Sequence, residues 1–330
     1  MPDFEPHIQR RIDLTTAVRA TDSIKKVKKA GTVTEHGGTP VQVMHNGVLV
    51  REGCYYGDWM TEVIRELRGH HEPQEELVFD QIVKRLVKDT PTPTMIELGS
   101  FWAYYSLWVK HVAADTRCVL VEPDAVNLQV GVDNFALNDM TPAAAVHAAV
   151  GSKHGSSIRM SHDSDGAVRK VPVVSIDGLI ADQGLERVDL LLCDVQGAEL
   201  AAIQGASKAI ANGRLRFAVI STHHHLISGD PLTHQKCLAE LERLGAQIIA
   251  EHTVLESCSG DGLIAVSFDE RDRGFTVEVP HVRAKDTLFG DPEYELAEAL
   301  RPTALPRRAK DRALASMSKV KRTVAARRRG

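Results

Sequence analysis

The sequence predicts an α/β fold in which helices cover a mostly parallel, doubly wound sheet with right-handed crossovers. From residue 94 onward, short apolar runs of strand length alternate with segments of helix length. Two neighbouring runs end in an acid beside a turn residue, at Glu97 and at Glu122. The strand candidates are 94–98, 117–122, 144–150, 188–194, 215–221, 246–250 and 262–268, and the helix candidates are 101–114, 124–136, 199–211 and 232–244.

The last two of these seven strand candidates have no long helix between them, which predicts an antiparallel edge strand. Before the alternation, residues 73–89 predict a helix, because Pro73 suits a first turn and acids follow it. Residues 39–44 and 47–50 predict a hairpin. Residues 1–30 predict a helix whose solvated face carries Lys25, Lys26, Lys28 and Lys29.

Composition is typical of a globular protein. The 330 residues are 43% hydrophobic and 25% charged, and the five cysteines form no CxxC pair, which favours buried free thiols in a reducing compartment. The first residues contain no apolar segment of the signal-peptide type, and no apolar run reaches the length of a membrane span. The sequence therefore predicts a cytoplasmic protein.

Charge is distributed unevenly along the chain. The net charge is −4, whereas residues 301–330 hold 11 Lys/Arg and one acid, so the first 300 residues carry −14. A basic tail on an acidic body does not suit a nucleic-acid-binding domain, which places its charge on a folded face. The tail is predicted to be disordered. One hypothesis is that it associates with an anionic membrane or an acidic partner, and the alternative is a solvated tail without a partner. The predicted organisation is an N-terminal extension with hairpin and lid at 1–72, a core at 73–268, an irregular extension at 269–300 and the basic tail at 301–330.

The turn after the first core strand predicts a nucleotide-like ligand. Gly99 lets a ligand approach the backbone, and Ala103 is small enough for close helix packing. Glu122 ends the next strand, where an acid accepts hydrogen bonds from a ribose diol. The alternative is that Gly99 serves only a tight turn.

A second candidate group lies at 188–200, where a strand ends at Asp194 and a helix begins near Glu199. A carboxylate at this edge of the sheet can position a substrate, take up a proton or bind a metal. A helix-capping role is the alternative, and it fits Glu199 better than Asp194.

A third candidate group is the histidine run after the strand at 215–221. If the strand stays extended, His223 and His225 share one face and His224 faces away. A general base is the first interpretation. The alternatives are solvated loop histidines and a metal site formed by Asp194, His223, His225 and His234.

Aromatic residues gather near the glycine turn. Tyr105 and Trp108 lie one helical turn apart and are predicted to be core, whereas Trp102 begins the helix beside the turn. Upstream, the segment from Tyr55 to Trp59 is predicted to form part of a lid.

These motifs resemble those of FkbM-type S-adenosylmethionine-dependent methyltransferases, over about Glu72 to Phe268. The resemblance rests on the stretches 97–106, 121–124, 173–179 and 193–199, of which the last, Cys-Asp-Val-Gln-Gly-Ala-Glu, is the most specific. The sequence departs from the family pattern in three places. Ser100-Phe-Trp-Ala103 replaces a turn richer in glycine, Gln196 replaces a glutamate, and Thr222-His-His-His225 replaces a single histidine.

The resemblance implies a class I Rossmann-like methyltransferase fold, S-adenosylmethionine as cofactor, and O-methylation of a hydroxyl on a sugar, glycolipid or secondary metabolite. It implies that Glu97 and Gly99 line the methionine portion, that Glu122 binds the ribose, and that Asp194 lies beside the methyl group and orients His223 or His225 as base. The residues implied to bind the cofactor are Glu97, Gly99, Ser100, Phe101, Glu122, Pro123 and Asp194.

Three other functions remain open at this point. A nicotinamide-dependent dehydrogenase would need two more glycines than Gly99 alone. A non-catalytic, cofactor-binding regulatory module is disfavoured by the retention of Glu122 and Asp194. A metal-assisted enzyme would use the histidines from His223 to His225.

Overall fold

The computed structural model describes residues 4–282. The chain divides into two units, 1–290 and 291–330, and every described residue belongs to the first. The predicted basic tail at 301–330 and the part of the predicted extension after residue 282 lie outside the described residues. The association of the tail with a membrane or a partner therefore stays a prediction.

The described residues form ten α-helices and thirteen strands. The helices are α1 (Pro6–Thr16), α2 (Asp58–Glu66), α3 (Pro73–Asp89), α4 (Tyr104–Val112), α5 (Ala125–Leu137), α6 (Ile176–Asp182), α7 (Glu199–Gln204), α8 (Ser207–Ala211), α9 (His225–Ser228) and α10 (Thr233–Arg243). The strands are β1 (Val33–His36), β2 (Thr39–Val43), β3 (Leu49–Arg51), β4 (Thr94–Leu98), β5 (Arg117–Glu122), β6 (Ala144–His147), β7 (Ala149–Val150), β8 (Ser156–Ser161), β9 (Val168–Val174), β10 (Val188–Cys193), β11 (Leu215–His223), β12 (Gln247–His252) and β13 (Asp261–Ser267).

The predicted seven-stranded, mostly parallel sheet is confirmed. Its order is β12-β13-β11-β10-β4-β5-β6, and β4, β5, β6, β10 and β11 pair in parallel. The antiparallel strand is β13, which lies between β11 and the edge strand β12. This is the predicted class I Rossmann-like arrangement, in which the order of the strands reverses between β4 and β10. Ligands bind at such a reversal, outside the carboxyl ends of the strands.

Side-chain alternation along the central strands divides the core into two layers. Met95, Leu120 and Leu190 pack in one layer with residues of α3, α4 and the N-terminal segment. Ile96, Val119 and Leu191 pack in the other layer with residues of α6, α7, α8 and α10. Both faces of the sheet are thus covered, which explains why these strands are nearly continuous apolar runs rather than alternating ones.

Several predicted elements differ from the structure in their bounds. The candidate 144–150 is divided between β6 of the large sheet and β7 of a small sheet of order β7-β9-β8, which the sequence did not predict because β8 is mostly exposed. The candidate 199–211 is divided into α7 and α8 around Gly205, where a Cβ atom would lie 2.7 Å from the carbonyl oxygen of Gly151. The helix predicted at 101–114 begins only at Tyr104.

The N-terminal predictions were right in part. The hairpin is present as β2 and β3, which pair antiparallel, with β1 as an additional strand. The single helix predicted for residues 1–30 is wrong, because α1 ends at Thr16 and the basic cluster from Lys25 to Lys29 lies in irregular backbone beyond it. All five cysteines are free, and four of them are buried. Within residues 4–282, no helix has both the length and the apolar character that crossing a membrane requires.

A buried arginine fixes the start of β11 to the segment that follows β13. Arg216 is fully buried, and its guanidinium makes two hydrogen bonds to Asp272, at 2.9 and 3.0 Å. It also contacts Asp89 at the end of α3, at 2.5 and 3.1 Å. Asp272 accepts two further bonds, from Arg85 and from Ser267. Burial opposes the charged form of Asp272, but these bonds hold its pKa below the usual value.

We expect Asp272→Ala to lower the free energy of unfolding by about 3–5 kcal/mol, because it leaves the buried Arg216 guanidinium without its main counter-charge. Urea unfolding followed by circular dichroism measures this. Arg273→Ala in the same segment is the control, because its ion pair with Glu270 is largely exposed and should change stability little. Equal stability of the two variants would show that the Arg216 network does not stabilise the fold.

Candidate functional site

A cavity of about 350 Å³ lies at the carboxyl ends of β4, β5 and β10. This is the position that the strand order predicts for a ligand. All seven residues predicted to bind the cofactor line this one cavity. They are Glu97, Gly99, Ser100, Phe101, Glu122, Pro123 and Asp194.

Gly99 allows the ends of β4 and β10 to meet. Its φ is +73°, and a Cβ atom there would lie 1.7 Å from the carbonyl oxygen of Asp194. The backbone N–H of Asp194 donates to the carbonyl of Leu98 at 3.0 Å, so the two strand ends remain paired up to the turn. Gly99 therefore does serve a tight turn, as the alternative interpretation held, but the same turn also forms one wall of the cavity.

The turn continues in left-handed backbone at two positions without glycine. Phe101 has a φ of +35° and Ala103 a φ of +59°. Such conformations cost free energy outside glycine and tend to occur at functional sites. Ala103 is small for the predicted reason, since a Cβ atom on Gly131 of α5 would lie only 3.0 Å from the Ala103 Cβ.

Two buried glutamates face the cavity. The carboxylate of Glu122 accepts the backbone N–H of Phe101 at 3.2 Å and of Asp124 at 3.0 Å. Burial raises the pKa of Glu122 to about 7, although these two bonds oppose the shift. Glu97 accepts the N–H of Ser106 at 2.9 Å, and burial raises its pKa to about 8. Both acids therefore change protonation state close to neutral pH.

Other groups of the cavity wall are ready to bind a polar ligand. The hydroxyl oxygen of Ser100 is buried and makes no hydrogen bond within the described residues, so it can accept a ligand as partner. Trp102 stacks on Tyr55 with ring centroids 4.5 Å apart. Tyr105 was predicted to be core only, whereas it also lines the cavity; Trp108 is buried in the core as predicted.

The small sheet supplies a wall that sequence reasoning missed. Ile158, Met160 and Ser161 of β8, and Asp163 after it, line the cavity opposite the aromatic residues. Their position depends on the crossing of the chain between β6 and β7. No motif marks it, although the alternation of Ile158 and Met160 in a polar stretch is a weak strand signal.

A second cavity of about 300 Å³ adjoins the first. Arg11 and Thr15 of α1 line it, together with Trp59, His223 and Asp261. Tyr55 to Trp59, the predicted lid segment, therefore lies against both cavities. Six residues line both and form the boundary between them: Tyr55, Tyr56, His71, Glu72, Asp194 and Gln196.

His223 and Asp194 come together as predicted. Nε2 of His223 lies 3.1 Å from the Asp194 carboxylate, and Nδ1 lies 2.7 Å from Glu199. Asp261 approaches Nε2 at 3.6 Å. Burial alone would lower the pKa of His223, but Asp261, Asp194 and Glu199 raise it well above the usual value. Both ring nitrogens of His223 therefore face carboxylates, which favour the charged form of the ring.

The extended register predicted for the histidine run is wrong. β11 ends at His223 and α9 begins at His225, so the two side chains do not share a strand face. His224 caps α9, where its ring accepts the N–H of Leu226. His225 is half-buried and is not among the residues that line either cavity.

The alternative metal site formed by Asp194, His223, His225 and His234 does not assemble in the described residues. His234 faces Thr222 at 2.7 Å and Glu251 at 2.8 Å instead. Within residues 4–282, the one group of three side chains close enough to share a metal is His45, His70 and Glu76. The rings of His45 and His70 stack with centroids 4.3 Å apart, and Nδ1 of His45 faces the Tyr104 hydroxyl at 2.8 Å.

We expect Gly99→Ala to destabilise the fold strongly, since the added methyl group overlaps the backbone of Asp194 and the residue must keep a positive φ. The control is Gly213→Ala, which has a φ of +65° but open space around the Cβ position. In that variant the free energy of unfolding should fall only by the cost of placing alanine in left-handed backbone, about 1–2 kcal/mol. Thermal unfolding of both proteins measures the difference, and a Gly99→Ala protein as stable as Gly213→Ala would contradict the close approach.

Residues 90–248 match the family model of the Methyltransferase FkbM domain. No curated protein sequence gave a match. Among solved structures, precorrin-6y C5,15-methyltransferase from Geobacter metallireducens is similar with 13% identity and a TM-score of 0.36, over 58% of this chain and 87% of that chain. M. capricolum TrmK in complex with S-adenosyl-homocysteine has 10% identity and a TM-score of 0.35, over 60% and 74%. The N-terminal domain of human METTL16 in complex with SAH has 15% identity and a TM-score of 0.35, over 60% of this chain and 71% of that chain.

The region that matches the family model begins just before β4 and ends within β12. It contains the glycine turn, Glu122, Asp194 and His223. The methyltransferase FkbM domain is therefore detected over residues 90–248, the part of the chain that provides most of the first cavity.

Proposed function

We propose that this protein transfers a methyl group from S-adenosylmethionine to a hydroxyl oxygen of a sugar, a glycolipid or a related secondary metabolite. The observation that carries the proposal is the pair of adjoining cavities that meet at Asp194. A transfer between two molecules needs two sites whose reacting atoms meet at one boundary. The first cavity suits the cofactor, and the second suits the acceptor.

The first cavity has the donors and acceptors that an adenosine-bearing cofactor requires. The Glu122 carboxylate keeps unused lone pairs for ribose hydroxyls. The buried hydroxyl group of Ser100 lacks a partner within the described residues. The aromatic rings of Tyr55 and Trp102 provide an environment that attracts a cation. When bound, the cofactor supplies an electrophilic methyl group on a positively charged sulfur.

The second cavity combines carboxyl groups with aromatic rings. Glu72, Asp194 and Asp261 offer hydrogen-bonding oxygens, while Tyr56 and Trp59 offer apolar faces. Hydroxyl groups on a ring-shaped acceptor fit this combination, because the carboxyl groups pair with the hydroxyls while the rings cover C–H faces. This chemistry supports the carbohydrate-like acceptor that the family resemblance implies.

The protein contributes mainly alignment and exclusion of water. Asp194 lies at the boundary and is fixed by the His223 imidazolium at 3.1 Å. Gln196 donates to the Tyr56 hydroxyl at 3.2 Å across the boundary, so the lid segment is tied to the end of β10. Holding both reactants in this way removes much of the entropic cost of a bimolecular reaction.

We expect Glu122→Gln to weaken binding of S-adenosylhomocysteine by about 1–3 kcal/mol, because an ionised hydrogen-bond acceptor is lost. Isothermal titration calorimetry measures the affinity. Asp115→Asn, which removes an exposed carboxylate outside both cavities, is the control and should bind as the unaltered protein does. Binding of equal strength in Glu122→Gln and Asp115→Asn would remove Glu122 from the site.

The affinity should also depend on pH. Ribose hydroxyls donate to the ionised carboxylate, and the pKa of Glu122 is raised to about 7 by burial. Binding should therefore strengthen roughly tenfold as the pH rises from about 6 to about 8. Glu97 shares the cavity and also titrates in this range, so the decisive measurement is the part of the pH dependence that disappears in Glu122→Gln. A variant with an unchanged pH dependence would contradict the assignment.

A transfer screen tests the whole proposal. The full-length protein is incubated with S-adenosylmethionine carrying a labelled methyl group and with hydroxyl-bearing sugars, glycolipids and polyketides. Label should appear on an acceptor oxygen. If the protein binds S-adenosylhomocysteine but no acceptor is labelled, it is a cofactor-binding module; if it does not bind, the proposed cofactor is wrong.

A further inference from the structure

Methylation of a hydroxyl requires a base that removes the hydroxyl proton. His223 cannot act as this base. Both of its nitrogens face carboxylates, Nδ1 toward Glu199 and Nε2 toward Asp194. Those carboxylates and Asp261 raise the pKa of His223 well above the usual value, against the effect of burial. An imidazolium has no lone pair with which to accept a proton. The base must be sought among the groups that reach both cavities.

Six side chains line both cavities, and five of them are unsuited to the task. The tyrosines Tyr55 and Tyr56 stay protonated because burial raises their pKa above the usual value. Burial and the neighbouring carboxylates also raise the pKa of Glu72 well above the usual value, which favours its protonated form. Gln196 is not basic, and Asp194 would have to give up its ion pair with His223. His71 remains.

His71 is held in a defined orientation. It is almost fully buried between α2 and α3, and its Nδ1 lies 2.7 Å from Oε1 of Glu76. Tyr55 and Trp102 meet its ring edge to face, with centroids 5.5 and 4.9 Å away. Because Nδ1 is turned toward Glu76, Nε2 is the nitrogen on the opposite edge of the ring that can face a bound acceptor.

Glu76 is itself immobilised as an anion. Its Oε1 accepts the backbone N–H of His71 at 2.6 Å and of Glu72 at 3.1 Å. Its Oε2 contacts His70 and accepts the Tyr104 hydroxyl at 3.4 Å. Burial alone would raise the pKa of Glu76, but its contacts with His70 and His71 hold it well below the usual value. The contact between Nδ1 and Oε1 lacks hydrogen-bond geometry, so Glu76 acts on the ring through its charge, which stabilises the imidazolium formed when Nε2 takes up a proton.

We propose that His71 is the general base of the methyl transfer and that Glu76 is its positioning residue, an inference that rests on the proposed function above. The acceptor hydroxyl in the second cavity is placed against Nε2 of His71. As the acceptor oxygen forms its bond to the methyl carbon, the carbon–sulfur bond breaks and its electrons stay on sulfur. The acceptor proton passes to Nε2, and the Glu76 carboxylate stabilises the imidazolium that results.

Kinetics of the full-length protein test the role of His71, with the acceptor that the transfer screen identifies. His71→Gln should lower kcat by about 10²–10⁴-fold while KM changes little. It should also remove the fall in kcat on the acidic side of the pH profile. His36→Gln, at an exposed position in β1, is the control and should keep the wild-type rate. A His71→Gln protein with wild-type kcat would overturn the assignment.

Glu76→Gln keeps the shape of the side chain and tests the positioning role. It should lower kcat less than His71→Gln and should shift the acidic limb of the pH profile, which a merely structural change would not do. Calorimetry with S-adenosylhomocysteine separates the two proposals. If wild-type protein does not bind it, the proposed function fails; if binding is intact and His71→Gln stays active, only the present inference fails.

A second measurement needs no acceptor. In protein labelled with ¹⁵N-histidine, multiple-bond proton–nitrogen spectra report which ring nitrogens carry protons, and the spectra of His71→Gln and His223→Gln assign the signals. His223 should carry two ring protons, and Nε2 of His71, as the proposed base, should carry none before turnover. A His71 ring that is doubly protonated, or protonated on Nε2 alone, would overturn the inference.

Discussion

The site depends on one close approach, that of the ends of β4 and β10 at Gly99. The space between the Gly99 Cα and the Asp194 carbonyl cannot hold even a methyl group. This contact places the cofactor turn next to the carboxylate of Asp194, on the two strands between which the order of the sheet reverses. The other parts of the site are placed relative to this contact. Glu122 on β5 and His223 on β11 reach the same edge of the sheet because their strands pair in parallel with β4 and β10.

The boundary between the cavities gathers acids that would repel one another if all were ionised. The structure reduces this repulsion by placing protons and cations among them. Burial and nearby carboxylates raise the pKa of Glu72 and bring that of Asp261 to about 6. The His223 imidazolium lies among Asp194, Glu199 and Asp261. The carboxylate of Glu76 lies apart from this group and contacts His70 and His71. His71 and His223 are buried to a similar extent but have different surroundings. His223 lies among three carboxylates, whereas His71 faces only that of Glu76.

The second cavity is formed largely by residues outside the region that matches the FkbM domain model. The family match covers residues 90–248, whereas Arg11, Trp59, His71 and Asp261 all lie beyond it. The segments before and after the matched region therefore shape the second cavity, while the matched region itself provides most of the first. Because different segments form the two cavities, the residues of the second cavity can change without disturbing the turn at Gly99.

The sequence by itself determined the sheet and the cofactor edge. Apolar runs of strand length and acids at strand ends are local features, so the seven strands and the ligand-binding edge could be assigned from them. The seven residues predicted to bind the cofactor came from the family resemblance, and they line one cavity. Tertiary structure alone decided the rest. The end of β11 at His223 depends on the cap that begins α9, which cancelled the predicted pairing of His223 with His225. The position of His71 against both cavities depends on contacts with Glu76 and with aromatic residues distant in the chain. Periodicity reports which face a side chain occupies within its own element, but the partners that set its charge come from elements that only folding brings together.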